Sequence, residues 1–130
     1  MHLNHGNALS TFATIAAYEK GHQWLEDMLA YIQTNLSWIT GFIDKHLPKM
    51  TYFRPEGTYQ IWFDFSQLGL SDTQLKSLVF EDAKMGLTPG EWFHATSPQF
   101  MRMNFATSLE NIKHSFELLK IAIENIQHAK

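Results

Sequence analysis

The chain has 130 residues, and 10 lysine and arginine residues against 13 acidic residues give a formal net charge of −3. This length suits one domain with its own core, and the charge balance, without a basic stripe, argues against nucleic acid as a partner. The absence of cysteine excludes disulfides and thiolate chemistry and fits a cytoplasmic location, and no apolar run approaches the roughly 18 residues of a membrane span.

Two helices are predicted in the first third of the chain. Residues 8–20 are good helix formers, and Gly21 follows at a position typical of a helix end. From about Gln23 to His46, apolar residues recur at intervals of three and four, which predicts one long amphipathic helix ended by Leu47-Pro48. At about 1.5 Å per residue this helix would exceed roughly 30 Å, so we expect it to connect two bodies.

The composition becomes aromatic and β-branched after Pro48. Residues 50–54 and 59–65 have strand character, and the turn formers Pro55-Glu56-Gly57 lie between them. These features predict an antiparallel hairpin.

A third helix is predicted next, with Ser71 or Asp72 as its cap and an end near Lys84. Residues 85–90 form a short extended piece with turn formers, and residues 91–99 show no periodicity and contain a proline, so they are predicted to form a loop. Such loops often carry function.

The segment Phe100-Met101-Arg102-Met103-Asn104-Phe105-Ala106 is predicted to be a strand, and a last amphipathic helix starts at Ser108. Because side chains alternate along a strand, Arg102 shares a face with Asn104, opposite the methionines. The fold predicted after residue 48 is an α/β, or α+β, sandwich with a mainly antiparallel sheet of three or four strands and helices on one face.

Arg102 is the leading candidate site residue. Its guanidinium is always charged and presents a planar fork of donors that suits a carboxylate or phosphate. On spacing alone, a solvated arginine on an edge strand explains the same pattern.

His94 is a second candidate, because it lies in the irregular loop before the arginine strand. A solvated loop histidine is its alternative explanation.

No self-contained catalytic motif is visible. The seven histidines show no ligand spacing, so no metal is predicted, and neither a nucleophile elbow nor a glycine-rich phosphate loop occurs.

Several motifs in order resemble the C-terminal part of pyridoxal-phosphate enzymes of the aspartate aminotransferase fold (fold type I). Among these, the chain looks most like the MalY/PatB-type cystathionine β-lyases and aminotransferases of that group. The motifs that carry the resemblance are Ala17-Tyr18, Gly21, Trp24-Leu25, Leu47-Pro48, Pro55-Glu56-Gly57-Thr58-Tyr59, Trp62-Phe63-Asp64, Leu87-Thr88-Pro89-Gly90, Phe93 and the strand 100–106.

The resemblance implies roles for the candidate residues. The family's arginine in the Arg-x-Asn-x-Ala strand binds the α-carboxylate of an amino acid substrate, and this role falls on Arg102. Asn104 would support the strand and the site. The segment from Pro89-Gly90 to Phe93 would lead toward the substrate mouth. Relatives are commonly richer in glycine where this chain has Trp92-Phe93-His94 followed by Ala95-Thr96-Ser97-Pro98, which leaves the amino acid substrate open.

The resemblance also implies what lies outside this chain. The family binds pyridoxal 5'-phosphate through a lysine of a large domain, and that position matches none of the lysines here: Lys20, Lys45, Lys49, Lys76, Lys84, Lys113, Lys120 and Lys130. We therefore expect 1–21 to be the tail of the large domain, 22–47 a connecting helix and 48–130 the small domain. The parent would be a homodimer; this chain alone would lack the large domain, the cofactor and activity.

Two alternatives from other classes stay open at this point. The chain could be a stand-alone α/β binding or interaction module that recruits a partner through its aromatic helix. It could also be a regulatory domain that uses Arg102 to hold an amino acid without converting it.

Overall fold

The computed structural model describes residues 7–94 and 97–128, the side chain of His128 excepted. By the contacts within it, the chain divides into a unit that ends at Gln33 and a unit that begins at Thr34. Among the described residues, no helix combines the length and the apolar character that a membrane span needs.

The first unit contains helix α1, Ala8–Lys20, and the start of helix α2, His22–His46, as predicted. Asn7 caps α1, since its Oδ1 accepts from the backbone N–H of Leu9 at 3.0 Å. Gly21 ends α1 by donating its N–H to the carbonyl oxygen of Ala17 at 2.8 Å. No residue of α1 is buried, and its apolar side chains are exposed.

A four-stranded sheet forms the centre of the second unit. Its strands are β1 Thr51–Phe53, β2 Gln60–Asp64, β3 Thr88–Pro89 and β4 Phe100–Asn104, in the spatial order β1-β2-β4-β3. All three pairings are antiparallel, so the predicted hairpin is β1–β2 and the arginine strand β4 lies in the interior of the sheet. The alternative explanation of Arg102 placed a solvated arginine on an edge strand. That placement is wrong, because β4 lies between β2 and β3.

Helices α2 and α4, Leu109–His128, pack on one face of this sheet. The ring of Phe116 in α4 meets Phe63 of β2 edge to face at 6.0 Å and Phe42 of α2 at 5.8 Å. The strand residues on this face, Ile61, Phe63, Met101 and Met103, are buried. The predicted fold class, an open antiparallel sheet with helices on one face, is confirmed.

The third helix ends differently from the prediction. Helix α3, Asp72–Ser77, begins with a capping box between Ser71 and Gln74 and continues as a π-helical turn, Leu78–Asp82. Lys84 follows with a positive φ of 52°. The predicted helix to about Lys84 is thus two residues shorter, because the wide turn directs the backbone out of the helix.

Two short 3-10 helices occur, at Ser66–Leu68 and at Gly90–Phe93. The second occupies the start of the segment predicted to be a loop, so that prediction was wrong for 91–93. Residues 95 and 96 of this segment lie outside the described residues.

Candidate functional site

The site candidate lies on the sheet face opposite α2 and α4, which we call the open face. Cross-strand register aligns Phe53, Trp62, Arg102 and Thr88 in one row across all four strands. Because side chains alternate, these residues point away from the buried face that carries Phe63 and Met101. Arg102 is therefore held between neighbouring strands on both sides.

The guanidinium of Arg102 is half-buried and stacks on an aromatic ring. Its Cζ lies over the ring of Phe93, 4.2 Å from the ring centroid. Within the ranges 7–94 and 97–128, Arg102 has no carboxylate partner, and the one ion pair found there joins Lys76 and Glu91. No side-chain hydrogen bond of Arg102 occurs there either, so its N–H donors remain available for a ligand.

The 3-10 helix Gly90–Phe93 places Phe93 at this point of the sheet. It begins directly after β3, whose Thr88 is the register partner of Arg102. The Phe93 ring also meets Trp62 at 5.6 Å with an interplanar angle of 86°, an edge-to-face contact. Sequence reasoning missed both aromatic partners, although the position of Trp62 between Gln60 and Asp64 on the polar face of β2 was a usable signal.

A salt bridge ties the Phe93 segment to α3. The Nζ of Lys76 lies 3.0 Å from Oε1 of Glu91, and both side chains are well exposed. Solvent exposure makes this pair a weak contributor to stability, although it links the start of the 3-10 helix to α3.

Asn104 lies on the open face two residues after Arg102. Its Oδ1 accepts from the backbone N–H of Ala106 at 2.9 Å, an Asx turn that ends β4. Asn104 is exposed and pairs in register with Gln60. The structure thus brings Asn104 and Arg102 to the same face.

His94 follows Phe93 and has a left-handed backbone, with φ 54° and ψ 32°. Its N–H donates to the carbonyl oxygen of Glu91 at 3.3 Å, and its side chain is exposed. Among the described residues, no hydrogen bond, ion pair or ring contact joins its imidazole to Arg102 or Phe93. The structure places His94 at the end of the Phe93 segment without joining it to the arginine.

Other features of the described residues lie away from the open face. No group of three or more histidine, aspartate or glutamate side chains there could hold a metal ion. A cavity of about 200 Å³ is lined mainly by apolar side chains, together with Lys49 and Gln127, and by no open-face residue.

Comparison with known proteins identifies relatives of the whole described fold. No protein-family model matches the chain. It is 35% identical over 117 residues to cystathionine β-lyase PatB of Bacillus subtilis. The matched region covers 90% of this chain and 30% of PatB. It is also 26% identical over 123 residues, 90% of this chain, to aspartate aminotransferase of Bacillus subtilis, and covers 30% of it.

A solved structure agrees with these sequence relatives. The pyridoxal-phosphate-bound C–S lyase of Staphylococcus hominis is 32% identical, with a TM-score of 0.81 over 90% of this chain and 31% of the lyase. The chain spans about 30% of the length of the curated relatives that it matches.

These similarities confirm the family recognised from the sequence. The chain is related to MalY/PatB-type cystathionine β-lyases and to pyridoxal-phosphate-dependent aminotransferases, and it corresponds to a C-terminal part of such proteins. Its fold is that of the matching part of fold type I enzymes.

Proposed function

We propose that this chain supplies the small domain of a pyridoxal-phosphate-dependent aminotransferase or carbon–sulfur β-lyase, and that Arg102 binds the α-carboxylate of its amino acid substrate. The observation that carries the proposal is that the guanidinium of Arg102, on the open face, has no ion pair and no side-chain hydrogen bond among the described residues. The relatives support the class of enzyme.

The chemistry of the side chain fits this role. A carboxylate is recognised best by two parallel N–H···O bonds from one planar guanidinium, and an interior strand holds the guanidinium in one orientation. The Cα of the substrate is then fixed relative to Arg102, which removes the entropic cost of orientation from the chemical step.

We assign supporting roles to the two other candidates. Asn104 ends β4 by accepting the N–H of Ala106, and so keeps the end of the strand beside Arg102 in place. His94, exposed at the end of the Phe93 segment, would meet the substrate side chain or its surrounding water.

The cofactor belongs to the whole protein in this proposal. Pyridoxal phosphate would supply an electron sink for the reaction at the substrate Cα, and a lysine and an aspartate would hold the cofactor in its resting position. None of the strand residues on the open face is a lysine, so the residues present do not fit the covalent anchor of the group. We accordingly propose that the anchor lies in a large domain, that the parent is a cytoplasmic homodimer, and that this chain alone is inactive.

Arg102 is tested by nuclear magnetic resonance of the arginine Nε–H groups during titration with L-alanine, and with L-alaninamide as the ligand without a carboxylate. We expect L-alanine to shift the Arg102 signal and the amide to leave it unchanged. The exposed Arg54 is the matched control within the same chain. Equal shifts of both arginines, or none, would contradict carboxylate binding by Arg102.

The missing anchor is tested separately. The chain is incubated with pyridoxal phosphate, reduced with borohydride and digested for mass spectrometry. Scattered labelling well below one group per chain is expected for surface lysines. Stoichiometric labelling of one lysine would mean that this chain binds the cofactor itself.

A stand-alone interaction module is the second candidate function, and the exposed apolar side chains of the first unit are the observation that favours it. Leu9, Phe12 and Tyr18 of α1 and Trp24 of α2 are largely exposed. Such residues suit a contact with other protein surface. Size-exclusion chromatography with light scattering separates the candidates. A clean monomer with all of its helix stripe buried favours a module, whereas association or instability of residues 1–47 favours a severed domain.

A further inference from the structure

We infer that Phe93 is a positioning residue for Arg102, and that Trp62 holds Phe93 in the position where it does this. The inference rests on the proposed role of Arg102 and adds to it two residues that orient the guanidinium. The three side chains form a closed group on the open face, in which Trp62 touches Phe93, Phe93 covers Arg102, and Arg102 faces Trp62 across the β2–β4 register.

The contact determines which part of the guanidinium is free. A ring centroid 4.2 Å from Cζ places the cation over the face of the Phe93 ring, which offers no oxygen acceptor to its N–H groups. The donors lie at the edge of the guanidinium plane and stay open. An anion therefore meets Arg102 at its edge, the geometry in which a carboxylate accepts two hydrogen bonds.

Among the described residues, the contact with Phe93 is the polar or ring interaction that restrains the end of this side chain. Arg102 has no ion pair or side-chain hydrogen bond there, and arginine has many rotamers to sample. Phe93 supplies the restraint without consuming a donor, which an acidic partner could not do. This is the physical reason why an aromatic residue, rather than a carboxylate, suits this position.

Phe93 itself needs support, because its side chain is 43% exposed. The edge-to-face contact with Trp62 restricts the ring on one side. On the backbone, the short 3-10 helix ends at His94 with a positive φ, and Glu91 at its start pairs with Lys76 of α3. The ring is thus fixed both through its contact with β2 and through its own backbone.

The test compares the full 130-residue chain with its variants Phe93→Leu, Phe93→Tyr and Trp62→Phe. Phe80→Leu is the matched control, because Phe80 is a partly exposed phenylalanine, 38% exposed, in the π-helical turn. The readout in every variant is the relaxation of the Arg102 Nε–H group, which reports how mobile the guanidinium is and needs no ligand. Ring-current shifts of the Arg102 δ protons are compared only among variants that keep an aromatic ring at position 93, because Phe93→Leu removes the ring itself.

In Phe93→Leu, we expect the population of the fixed guanidinium to fall by a factor of about 2 to 5, the range that an exposed cation–π contact supplies. Phe93→Tyr should keep it, and Trp62→Phe should give a smaller loss. Unchanged relaxation of the Arg102 Nε–H group in Phe93→Leu, or equal changes in Phe80→Leu, would overturn the inference.

Titration with L-alanine then separates this inference from the proposed function. Weaker binding in Phe93→Leu, rescued in Phe93→Tyr, supports both. Equal affinity of Phe93→Leu and the unaltered chain overturns the positioning role and leaves carboxylate binding intact. If L-alanine does not bind the unaltered chain although Phe93→Leu loosens Arg102, carboxylate binding fails while the positioning role stands.

Discussion

Asn35 in α2 donates from its side-chain amide to the carbonyl oxygen of Phe105, 3.0 Å away and 70 residues later in the sequence. The same Nδ2 donates to the carbonyl oxygen of Thr107 at 2.8 Å. Asn35 is fully buried, and among the described residues its Oδ1 has no partner. One side chain thus satisfies two backbone acceptors just after the strand that carries Arg102, and so joins α2 to the end of β4.

Asn35→Ala should therefore destabilise the chain by about 1–3 kcal/mol, because two backbone carbonyl groups lose their donor and that of Phe105 is buried. Urea unfolding followed by circular dichroism measures the change. Asn111→Ala, at an exposed position of α4, is the control and should change the stability by less than about 0.5 kcal/mol. Equal effects of the two substitutions would mean that the bonds to Phe105 and Thr107 contribute nothing.

Gly21 and Gly41 should respond in opposite directions to alanine. A Cβ on Gly21 would lie 2.4 Å from the carbonyl oxygen of Ala17, so the backbone at the α1–α2 junction must shift, at a cost of about 1–3 kcal/mol. Nothing lies within 4 Å of a Cβ on Gly41, inside α2, where alanine should add about 0.5–1 kcal/mol of stability.

Helix content from circular dichroism and the midpoint of thermal unfolding measure both glycine changes. A gain in Gly41→Ala together with a loss of helix in Gly21→Ala is expected. A stabilised Gly21→Ala variant would contradict the close approach to the Ala17 carbonyl oxygen.

The start of α3 depends on its capping box. The backbone N–H of Gln74 donates to Oγ of Ser71, and the N–H of Ser71 donates to Oε1 of Gln74 at 2.9 Å. Ser71→Ala removes one of these bonds and should cost about 1 kcal/mol in urea unfolding. Thr73→Ala, on the exposed first turn of the same helix, should leave the unfolding midpoint nearly unchanged. If Thr73→Ala costs as much, the loss in Ser71→Ala is not specific to the cap.

The sequence predicts the strand of Arg102 well because alternation is a local property. The two methionines define a buried face, and the arginine must then lie on the other. The stack of Arg102 on Phe93 was out of reach, since it depends on the pairing of the two-residue strand β3 with β4 and on a 3-10 helix in a segment without periodicity. The π-helical turn at Leu78–Asp82 was missed for a related reason. Its apolar spacing fits an ordinary helix, and the wider turn is set by tertiary packing against α4.

Tyr52 should make the stability of the chain depend on pH in the alkaline range. Partial burial raises the pKa of its phenol above the ordinary value of 10.0, and the hydrogen bond to the Asp44 carboxylate at 3.2 Å raises the pKa further, while Thr40 and Arg54 act in the opposite direction. The folded chain therefore favours the neutral phenol more than the unfolded chain does. This stabilisation is fully present below pH 10 and is lost as the pH rises through the folded pKa.

Comparing the unaltered chain with Tyr52→Phe over a range of pH tests this dependence. At neutral pH, Tyr52→Phe should cost no more than about 1 kcal/mol, because the hydrogen bond is exposed. Above pH 10 the unaltered chain loses stability that the phenylalanine variant keeps, so the difference between their unfolding free energies should shrink. Asp44→Asn should weaken the dependence in the unaltered chain and leave it unchanged in the Tyr52→Phe background. A difference that stays constant into strongly alkaline solution would show that Tyr52 is not the titrating group.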